Sequence, residues 1–391
     1  MTPAPGGDDE ERELRVPFRP ADEEGSRILF TPGPLTTTPG VKAAMSRDIG
    51  SWDVDCIRLV REIREEILKI AAGPPGLTVT PIQGTGSYGV EAVLGSAVPR
   101  DGRLLILKNG AYGLRMEKIA RITGIPHRVH DEADDRPIDP SRVGELLEAD
   151  PSITHVACVH CETTTGLVNP VRRIGLEVAK HRRRYIVDAV SSFGAYACGP
   201  GLDIDFDAGP IDHLVSSANK CIEGVPGFAF AISREPAVLE AAGNARSLAF
   251  DLHDQWSYME RTGMFRFTPP THVLLAFRQA LRELEEEGGV EARARRYEAN
   301  HGTLVEGMRA LGFRTFVPDE LQSRIITTFH FPHPGFDFWA FYEKLHARGC
   351  IIYPGKLTSV DTFRIANIGS IGPAEVRWLL RAVGEIVREG V

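Results

Sequence analysis

Short apolar segments alternate with amphipathic segments along most of the chain. Apolar runs of strand length occupy residues 77–81, 103–107, 154–159, 185–187, 213–216 and 228–232, and helical spacing of apolar residues occupies 56–72, 90–97, 114–123, 142–148 and 172–181. Strands that alternate with helices are typical of a mostly parallel sheet with helices on both faces. We therefore predict an α/β fold whose ligands bind at the carboxyl ends of the strands.

The last third of the chain has a different pattern, in which long helices are predicted at residues 272–287 and 290–311. Shorter helices and strands follow them. Because 391 residues exceed what one hydrophobic core usually serves, we predict two domains. A large domain is expected over residues 28–288, and a smaller C-terminal α+β domain is expected over residues 289–391.

Charge and composition exclude several classes of protein. The formal net charge is −8 and Lys and Arg form no continuous stripe, so nucleic acid is not an expected partner. No apolar run approaches the ~20 residues that span a bilayer, and the N-terminus lacks a signal-peptide pattern, so we expect a cytoplasmic protein without a membrane partner. Cys158 and Cys161 have no matching downstream pair of Cys or His ligands, so a zinc site is not predicted and no metal is expected. Residues 1–27 contain few core formers and are predicted to be a disordered acidic tail.

Two polar residues follow buried strands and are candidates for catalysis. Lys220 lies between a predicted strand and a glycine-rich loop, where poor solvation lowers the pKa of an amine and makes it a nucleophile. Asp188 ends the strand at residues 185–187, and a carboxylate there can pair with a protonated ring nitrogen. For each residue alone, a surface lysine or a helix-capping aspartate is a common alternative. Together they indicate one catalytic site at the edge of the sheet.

A glycine-rich segment, residues 83–89 (QGTGSYG), joins a predicted strand to a helix. Its glycines allow the backbone to approach an anion, and free N–H groups at the start of a helix bind phosphate. Thr85, Gly86 and Ser87 are therefore candidate phosphate ligands. The glycines also fit the dinucleotide motif GxGxxG, but no acidic residue ends a second strand about twenty positions later. A simple tight turn is the structural alternative.

Four more residues are candidates, and each has a structural alternative. Tyr112 could stack on a flat cofactor ring or pack in the core. Thr163 could bind a ring oxygen or only stabilise a Thr-rich turn. Thr268 could bind a phosphate or cap the helix that follows it. Arg364 lies in an apolar strand, where its guanidinium needs an anion, either a carboxylate or phosphonate ligand or an internal acidic residue.

Three segments together resemble the class V aminotransferases: residues 185–194 (YIVDAVSSFG), 216–222 (SSANKCI) and 363–369 (FRIANIG). The resemblance extends from about residue 28 to the C-terminus. It implies a pyridoxal 5′-phosphate (PLP)-dependent aminotransferase of fold type I, with a mostly parallel seven-stranded sheet in the large domain and a smaller C-terminal α+β domain. It also implies a homodimer whose active sites lie at the subunit interface.

The resemblance also implies a role for each candidate residue. Lys220 and Asp188 are the expected catalytic residues, because Lys220 would form the Schiff base with PLP and move the substrate proton while Asp188 pairs with the pyridine nitrogen. Tyr112 is expected to stack on the cofactor ring. The other expected cofactor ligands are Thr85, Gly86, Ser87, Thr163, Asn219 and, from the partner subunit, Thr268. The expected substrate ligands are Arg364 and Gly33.

Further segments narrow the expected substrate. Residues 29–37 (LFTPGPLTT), 160–170 (HCETTTGLVNP) and 353–356 (YPGK) resemble members of the family that transfer the amino group of 2-aminoethylphosphonate to pyruvate, which gives phosphonoacetaldehyde and L-alanine. Another class V aminotransferase, such as an alanine–glyoxylate or serine–pyruvate transaminase, is the main alternative because its cofactor site would be nearly the same. A cysteine desulfurase is disfavoured, since Asn219 stands where that relative has a histidine. A non-catalytic module of the same fold would not need a Schiff-base lysine.

Overall fold

The computed structural model describes residues 27–357 and 360–390. The tail predicted for residues 1–27 therefore lies outside the described residues, apart from its last residue. The strands are β1 (Ile28–Leu29), β2 (Leu77–Gly84), β3 (Leu104–Lys108), β4 (His127–Asp131), β5 (His155–Val159), β6 (Cys161–Glu162), β7 (Leu167–Val168), β8 (Arg184–Asp188), β9 (His213–Ser217), β10 (Gly227–Arg234), β11 (Ile326–His330), β12 (Cys350–Ile351), β13 (Tyr353–Pro354) and β14 (Thr362–Ala366).

A seven-stranded sheet forms the centre of the larger part of the molecule, in the order β2-β10-β9-β8-β5-β3-β4. The strands from β9 to β4 in this order are parallel neighbours, and β10 is antiparallel to both β9 and β2. The predicted mostly parallel, seven-stranded sheet is confirmed.

Helices cover both faces of this sheet and make up much of the C-terminal part. They are α1 (Pro39–Ala44), α2 (Val54–Ala71), α3 (Gly86–Ala97), α4 (Ala111–Ile122), α5 (Pro140–Ala149), α6 (Val171–Lys180), α7 (Glu235–Glu240), α8 (Leu252–Thr262), α9 (Thr271–Glu287), α10 (Gly289–Ala310), α11 (Phe338–Ala347) and α12 (Pro373–Glu389). Aspartates begin several of them, since the carboxylates of Asp53, Asp139 and Asp251 each accept a hydrogen bond from a backbone N–H in the first turn.

The sequence pattern did not predict several of these elements, among them β4, α7 and α8. The edge strand β4 has the sequence HRVHD, and its single apolar residue gives no strand-like run. The helices α7 and α8 were also not predicted. Helix α8 contains only a few buried residues among many polar ones, so the apolar periodicity is weak over its length.

Alternate residues of the central strands enter two different hydrophobic layers. In β3, Leu105 and Leu107 belong to the layer that includes α2, α6 and α9, whereas Leu104 and Ile106 belong to the layer that includes α3 and α4. A strand that is buried on both faces therefore reads as a continuous apolar run, which is why the parallel strands were visible in the sequence.

A separate hydrophobic cluster fills the C-terminal part, around the rings of Phe313, Phe329 and Phe363. Phe30 belongs to this cluster, and β1 pairs in parallel with β12. We propose that the domain boundary lies at Gly288–Gly289, between α9 and α10, where both glycines have positive φ angles of 104° and 75°. The first strand then packs with the smaller domain although it precedes the larger one.

A buried ionic network joins α10 to the loop that carries Lys220. The Glu223 carboxylate accepts hydrogen bonds from Arg296 at 2.9 Å and from the Tyr297 hydroxyl at 2.5 Å. Arg293, which is 2% exposed, donates to the Cys221 carbonyl at 2.7 Å and lies 3.5 Å from the same carboxylate. This network fixes the backbone immediately after Lys220 against the first helix of the smaller domain.

We expect Glu223→Gln to lower the apparent Tm by roughly 5 °C or more, because the variant leaves Arg293 and Arg296 with Glu287 as their remaining acidic partner in the network. Differential scanning calorimetry measures this shift. Asp319→Asn is the matched control, since its exposed ion pair with Arg309 should contribute little to stability. Equal Tm shifts in the two variants would show that Glu223 does not hold the loop in place.

Candidate active site

A cavity lies at the carboxyl ends of the central strands, where the rule for parallel sheets places ligand sites. Its lining combines the ends of β5, β8 and β9, the start of α3 and α4, and the segment before α1. The lining residues are Gly33, Pro34, Thr85, Gly86, Ser87, Val90, Tyr112, Arg115, Val159, Cys161, Thr163, Asp188, Val190, Ser191, Asn219, Lys220 and Pro226. Eight of the predicted site residues therefore meet in one cavity together with Gly33, and only Thr268 and Arg364 are not among its lining residues.

Lys220 follows β9 after a short turn, and its amine points toward the segment that precedes α1. Its Nζ donates hydrogen bonds to the carbonyl of Pro32 at 2.9 Å and to that of Gly33 at 3.2 Å. Burial lowers the pKa of this amine, since the surroundings do not solvate the ammonium form. The local environment thus increases the fraction of the neutral, nucleophilic form.

The close approach of the Lys220 amine to this segment requires a glycine at position 33. Its φ angle is +109°, and a Cβ atom at this position would lie 2.5 Å from Nζ of Lys220. A larger residue would both strain the backbone and displace the amine. The glycine therefore leaves the space in which the Lys220 side chain lies.

Asp188 is the last residue of β8 and is 7% exposed. One carboxylate oxygen accepts a hydrogen bond from the Val190 N–H at 2.9 Å, and in the described part of the chain Asp188 forms no salt bridge. Burial raises the pKa of this carboxyl to about 6. A buried carboxylate without a cationic partner fits a site for a protonated ring nitrogen.

The start of α3 forms one wall of the cavity. Thr85 precedes the helix in an extended conformation, and its side chain does not cap the helix. A Cβ atom on Gly86 would lie 2.4 Å from Val190, so only glycine allows this close packing against the loop after Asp188. The first N–H groups of the helix and the hydroxyls of Thr85 and Ser87 can bind an anionic group here.

Tyr112 lies in the first turn of α4, and two cationic side chains lie near its ring. The Arg115 guanidinium is 4.7 Å from the centroid of its ring, and Nζ of Lys356 is 4.9 Å from it. Burial opposes ionisation of the Tyr112 hydroxyl, but the charges of Lys356 and Arg364 and a hydrogen bond from Thr163 outweigh burial and lower its pKa.

Arg364 is central in β14 and 2% exposed. Its Nε donates to the Pro354 carbonyl at 3.0 Å, and its Nη1 donates to the Thr163 carbonyl at 3.0 Å. The guanidinium also acts through its positive charge on the Tyr112 hydroxyl. It forms no salt bridge with a carboxylate of the described residues, which argues against the internal ion pair that was the structural alternative.

Two predicted cofactor ligands differ in how the fold places them. Asn219 is buried, lines the cavity and accepts a hydrogen bond from the Ser217 hydroxyl at 3.2 Å. Thr268 is exposed and lies outside the cavity lining of its own chain, and its carbonyl accepts a hydrogen bond from the Gln83 side chain. A single chain therefore does not bring Thr268 into the site.

Sequence reasoning missed Arg115, which lines the cavity and donates to the Ser87 hydroxyl at 2.9 Å. It lies one helical turn after Tyr112, and this spacing was the available signal. Sequence reasoning also missed Glu162, which is completely buried next to the backbone of Tyr112. The Glu162 carboxylate accepts from the Tyr112 N–H at 3.2 Å, from the Thr164 N–H at 3.1 Å and from the Thr164 hydroxyl at 2.6 Å.

Comparison with known proteins agrees with this geometry. The family model for aminotransferase class-V matches residues 39–371. The chain belongs to this family. The 2-aminoethylphosphonate–pyruvate transaminase of Pseudomonas putida (strain GB-1) is 47% identical over 363 residues, which cover 93% of this chain and 97% of that relative. The enzyme of the same name from Syntrophobacter fumaroxidans is 49% identical over 361 residues, 92% of this chain and 96% of that relative.

Solved structures of aminotransferases share the fold of this class V chain. Pyridoxamine-pyruvate aminotransferase from Mesorhizobium loti is 25% identical, with a TM-score of 0.84 and coverage of 94% of each chain. Alanine–glyoxylate aminotransferase from Nostoc sp. is 24% identical, with a TM-score of 0.84 over 96% of this chain and 99% of that chain. The expected α/β fold of PLP-dependent aminotransferases is thereby confirmed. No helix in the described residues is long and apolar enough to cross a membrane.

We expect Glu162→Gln to lower the Tm of the cofactor-free protein by roughly 5 °C, because an amide nitrogen cannot accept the backbone N–H bonds that the carboxylate accepts. Burial raises the pKa of Glu162 to about 7, so between about pH 4.5 and 7 the folded state retains a proton that the unfolded state has lost. The wild type therefore loses stability as the pH rises through this window, and the difference from Glu162→Gln should be larger at pH 5 than at pH 8.

Thermal unfolding at the two pH values measures both effects. The matched control is Glu145→Gln, which changes an exposed carboxylate of α5 and should leave Tm nearly unchanged. A Glu162→Gln protein as stable as this control at both pH values would contradict the assigned contacts.

Proposed function

We propose that this class V aminotransferase transfers the amino group of 2-aminoethylphosphonate to pyruvate, which yields phosphonoacetaldehyde and L-alanine. The observation that carries the proposal is the 47–49% identity, over more than nine tenths of the chain, to relatives that bear the name of this activity. The substrates follow from those names, and the cavity supplies the groups that such a reaction needs.

The residues of the cavity fit PLP. A phosphate group matches the start of α3, where the N–H groups and the hydroxyls of Thr85 and Ser87 converge. A pyridinium nitrogen matches the buried Asp188, which forms no salt bridge among the described residues. Lys220 supplies a desolvated amine for attachment of the cofactor, and Tyr112 supplies an aromatic face. We propose Thr163 and Asn219 as further ligands, since both are buried and line the same cavity.

PLP, when bound, supplies an electron sink that stabilises negative charge on the carbon next to the transferred nitrogen. The chain must then move one proton and hold the substrate. Nζ of Lys220 is the base that we propose takes this proton and returns it, because its lowered pKa leaves a larger neutral fraction near pH 7. Asp188 maintains the ring nitrogen in its protonated form through its negative charge.

Arg364 is the proposed ligand for the anionic group of both substrates. Its guanidinium is buried, and two backbone carbonyls hold it in a fixed orientation. A carboxylate and a phosphonate both accept hydrogen bonds from a planar guanidinium, so one arginine can bind pyruvate in one half-reaction and the phosphonate in the other. Gly33 would contribute to substrate binding indirectly, because the absence of a side chain leaves room for the Lys220 amine in the cavity.

We further propose that the protein acts as a cytoplasmic homodimer. Thr268 is exposed on its own chain, so it is available to bind the cofactor phosphate of a second copy. Three large apolar side chains, Tyr88, Leu248 and Phe267, are 49%, 73% and 47% exposed. The Arg266 side chain contacts both the Leu248 carbonyl and the Phe267 ring, so two of them lie near Thr268 on one surface. Such exposure of apolar side chains favours burial against a partner.

The test of the function is formation of L-alanine from pyruvate by the full-length, PLP-loaded protein, with 2-aminoethylphosphonate, serine or glutamate as the amine donor. We expect the phosphonate to be the preferred donor. Lys220→Ala should abolish turnover without a change in secondary structure, whereas Lys180→Ala, an exposed lysine of α6, should retain it. Preference for serine over the phosphonate would replace the proposed function with the alternative within the family.

We expect PLP to bind the wild-type apoprotein roughly 10-fold more weakly at pH 5 than at pH 8, because the Asp188 carboxyl, with its pKa of about 6, becomes neutral as the pH falls and no longer attracts the pyridinium. Titration of tryptophan fluorescence with PLP measures this affinity. Asp188→Asn should bind weakly at both values with a smaller pH dependence, and its remaining dependence reports the cofactor phosphate and the Lys220 amine. The same pH dependence in both proteins would contradict the role of Asp188.

A further inference from the structure

Three cationic side chains from distant parts of the chain surround the Tyr112 side chain. Nζ of Lys356 lies 4.9 Å from the centroid of its ring, and the charges of Arg364 and Lys220 act on its hydroxyl. Two of these cations already have roles in the proposed function. Lys356 has no role in the proposed function, although its amine also lies next to the Tyr112 ring.

The fold holds Lys356 next to the Arg364 strand. Tyr353 of β13 pairs directly with Arg364 of β14, and the Gly355 N–H donates to the Thr362 carbonyl at 3.0 Å. Gly355 has no room for a Cβ atom, which would lie 2.4 Å from that carbonyl oxygen. The backbone before Lys356 is therefore fixed against β14, and this fixes the direction from which the lysine approaches Tyr112.

Lys356 has no acidic partner among residues 27–357 and 360–390, because no carboxylate there lies within the 4.0 Å of a salt bridge. Its side chain is exposed, and its contact within the described structure is the face of Tyr112. A cation over an aromatic face is stabilised only modestly, so the ammonium group can pair with an incoming anion. An anion bound by Arg364, as proposed above, would lie close to Tyr112, because the Arg364 charge acts on the Tyr112 hydroxyl.

Charge distinguishes the two proposed substrates. A carboxylate carries one negative charge, whereas a phosphonate, like a phosphate, carries close to two near neutral pH and has three acceptor oxygens. Arg364 supplies one charge, and its Nε and Nη1 already donate to the carbonyls of Pro354 and Thr163. One guanidinium therefore satisfies a carboxylate but leaves one charge of a phosphonate dianion uncompensated.

We propose that Lys356 is a specificity-determining residue that pairs with the second negative charge of the phosphonate while Arg364 binds the first. This inference rests on the proposed function, since it assumes a phosphonate substrate. It explains how one site accepts both substrates, because the carboxylate needs only the buried arginine and the phosphonate uses the exposed lysine as well.

The test compares Lys356→Met, Lys356→Arg and the control Lys344→Met, a half-exposed lysine of α11. Lys356→Met should raise KM for 2-aminoethylphosphonate, and lower kcat/KM roughly 10- to 100-fold, which is the size expected for loss of one charge-assisted contact. The reverse half-reaction with L-alanine should change much less. Lys356→Arg should restore most of the preference, and Lys344→Met should match the wild type.

Binding of inert analogues to the PLP-loaded protein gives a second readout that does not depend on turnover. Calorimetric titration should show that Lys356→Met weakens ethylphosphonate roughly 10-fold or more, but changes propionate affinity much less. Equal losses for both analogues, or no loss for ethylphosphonate, would overturn the role of Lys356. A wild-type protein that is active with other amines but not with 2-aminoethylphosphonate would instead overturn the proposed function, which separates the two failures.

Discussion

Desolvation of the Lys220 amine is the constraint on which the rest of the site depends. An ammonium group in a cavity between strand ends is poorly stabilised, and the two carbonyls of residues 32 and 33 replace only part of its hydration. The fold must therefore hold both the lysine loop and the N-terminal segment in fixed positions. The Glu223 network anchors the first, and the pairing of β1 with β12 anchors the second, so the smaller domain positions the amine from both sides.

The part of the site around the start of α4 depends on a buried acid, Glu162, whereas the lysine loop depends on a buried base, Lys220. Glu162 is completely buried, and its carboxylate joins the start of α4 to the turn that carries Thr163. A Cβ atom on Gly110 would lie 2.4 Å from this side chain, so glycine precedes the helix. The backbone position of Tyr112 thus depends on a hydrogen bond to a residue 50 positions away.

Net charge of the chain and local charge at the site have opposite signs. The protein as a whole carries −8, yet Arg115, Arg364 and Lys356 converge around one tyrosine. Mutual repulsion of such cations destabilises the fold unless an anion compensates them. Small phosphorylated and phosphonylated molecules provide this compensation, which links the electrostatics of the cavity to both the cofactor and the proposed substrate.

The sequence by itself predicted six of the seven strands of the central sheet, since strands buried on both faces appear as continuous apolar runs, and it placed Lys220 and Asp188 near the ends of two of those runs. It did not reveal the polar edge strand β4, whose pairing with β3 comes from the backbone. Only the tertiary structure brought the Glu162 carboxylate to the Tyr112 N–H and the Lys356 amine to the face of the Tyr112 ring. Contacts between such distant segments are set by the packing of helices and domains, and no local pattern of apolar and polar residues records that packing.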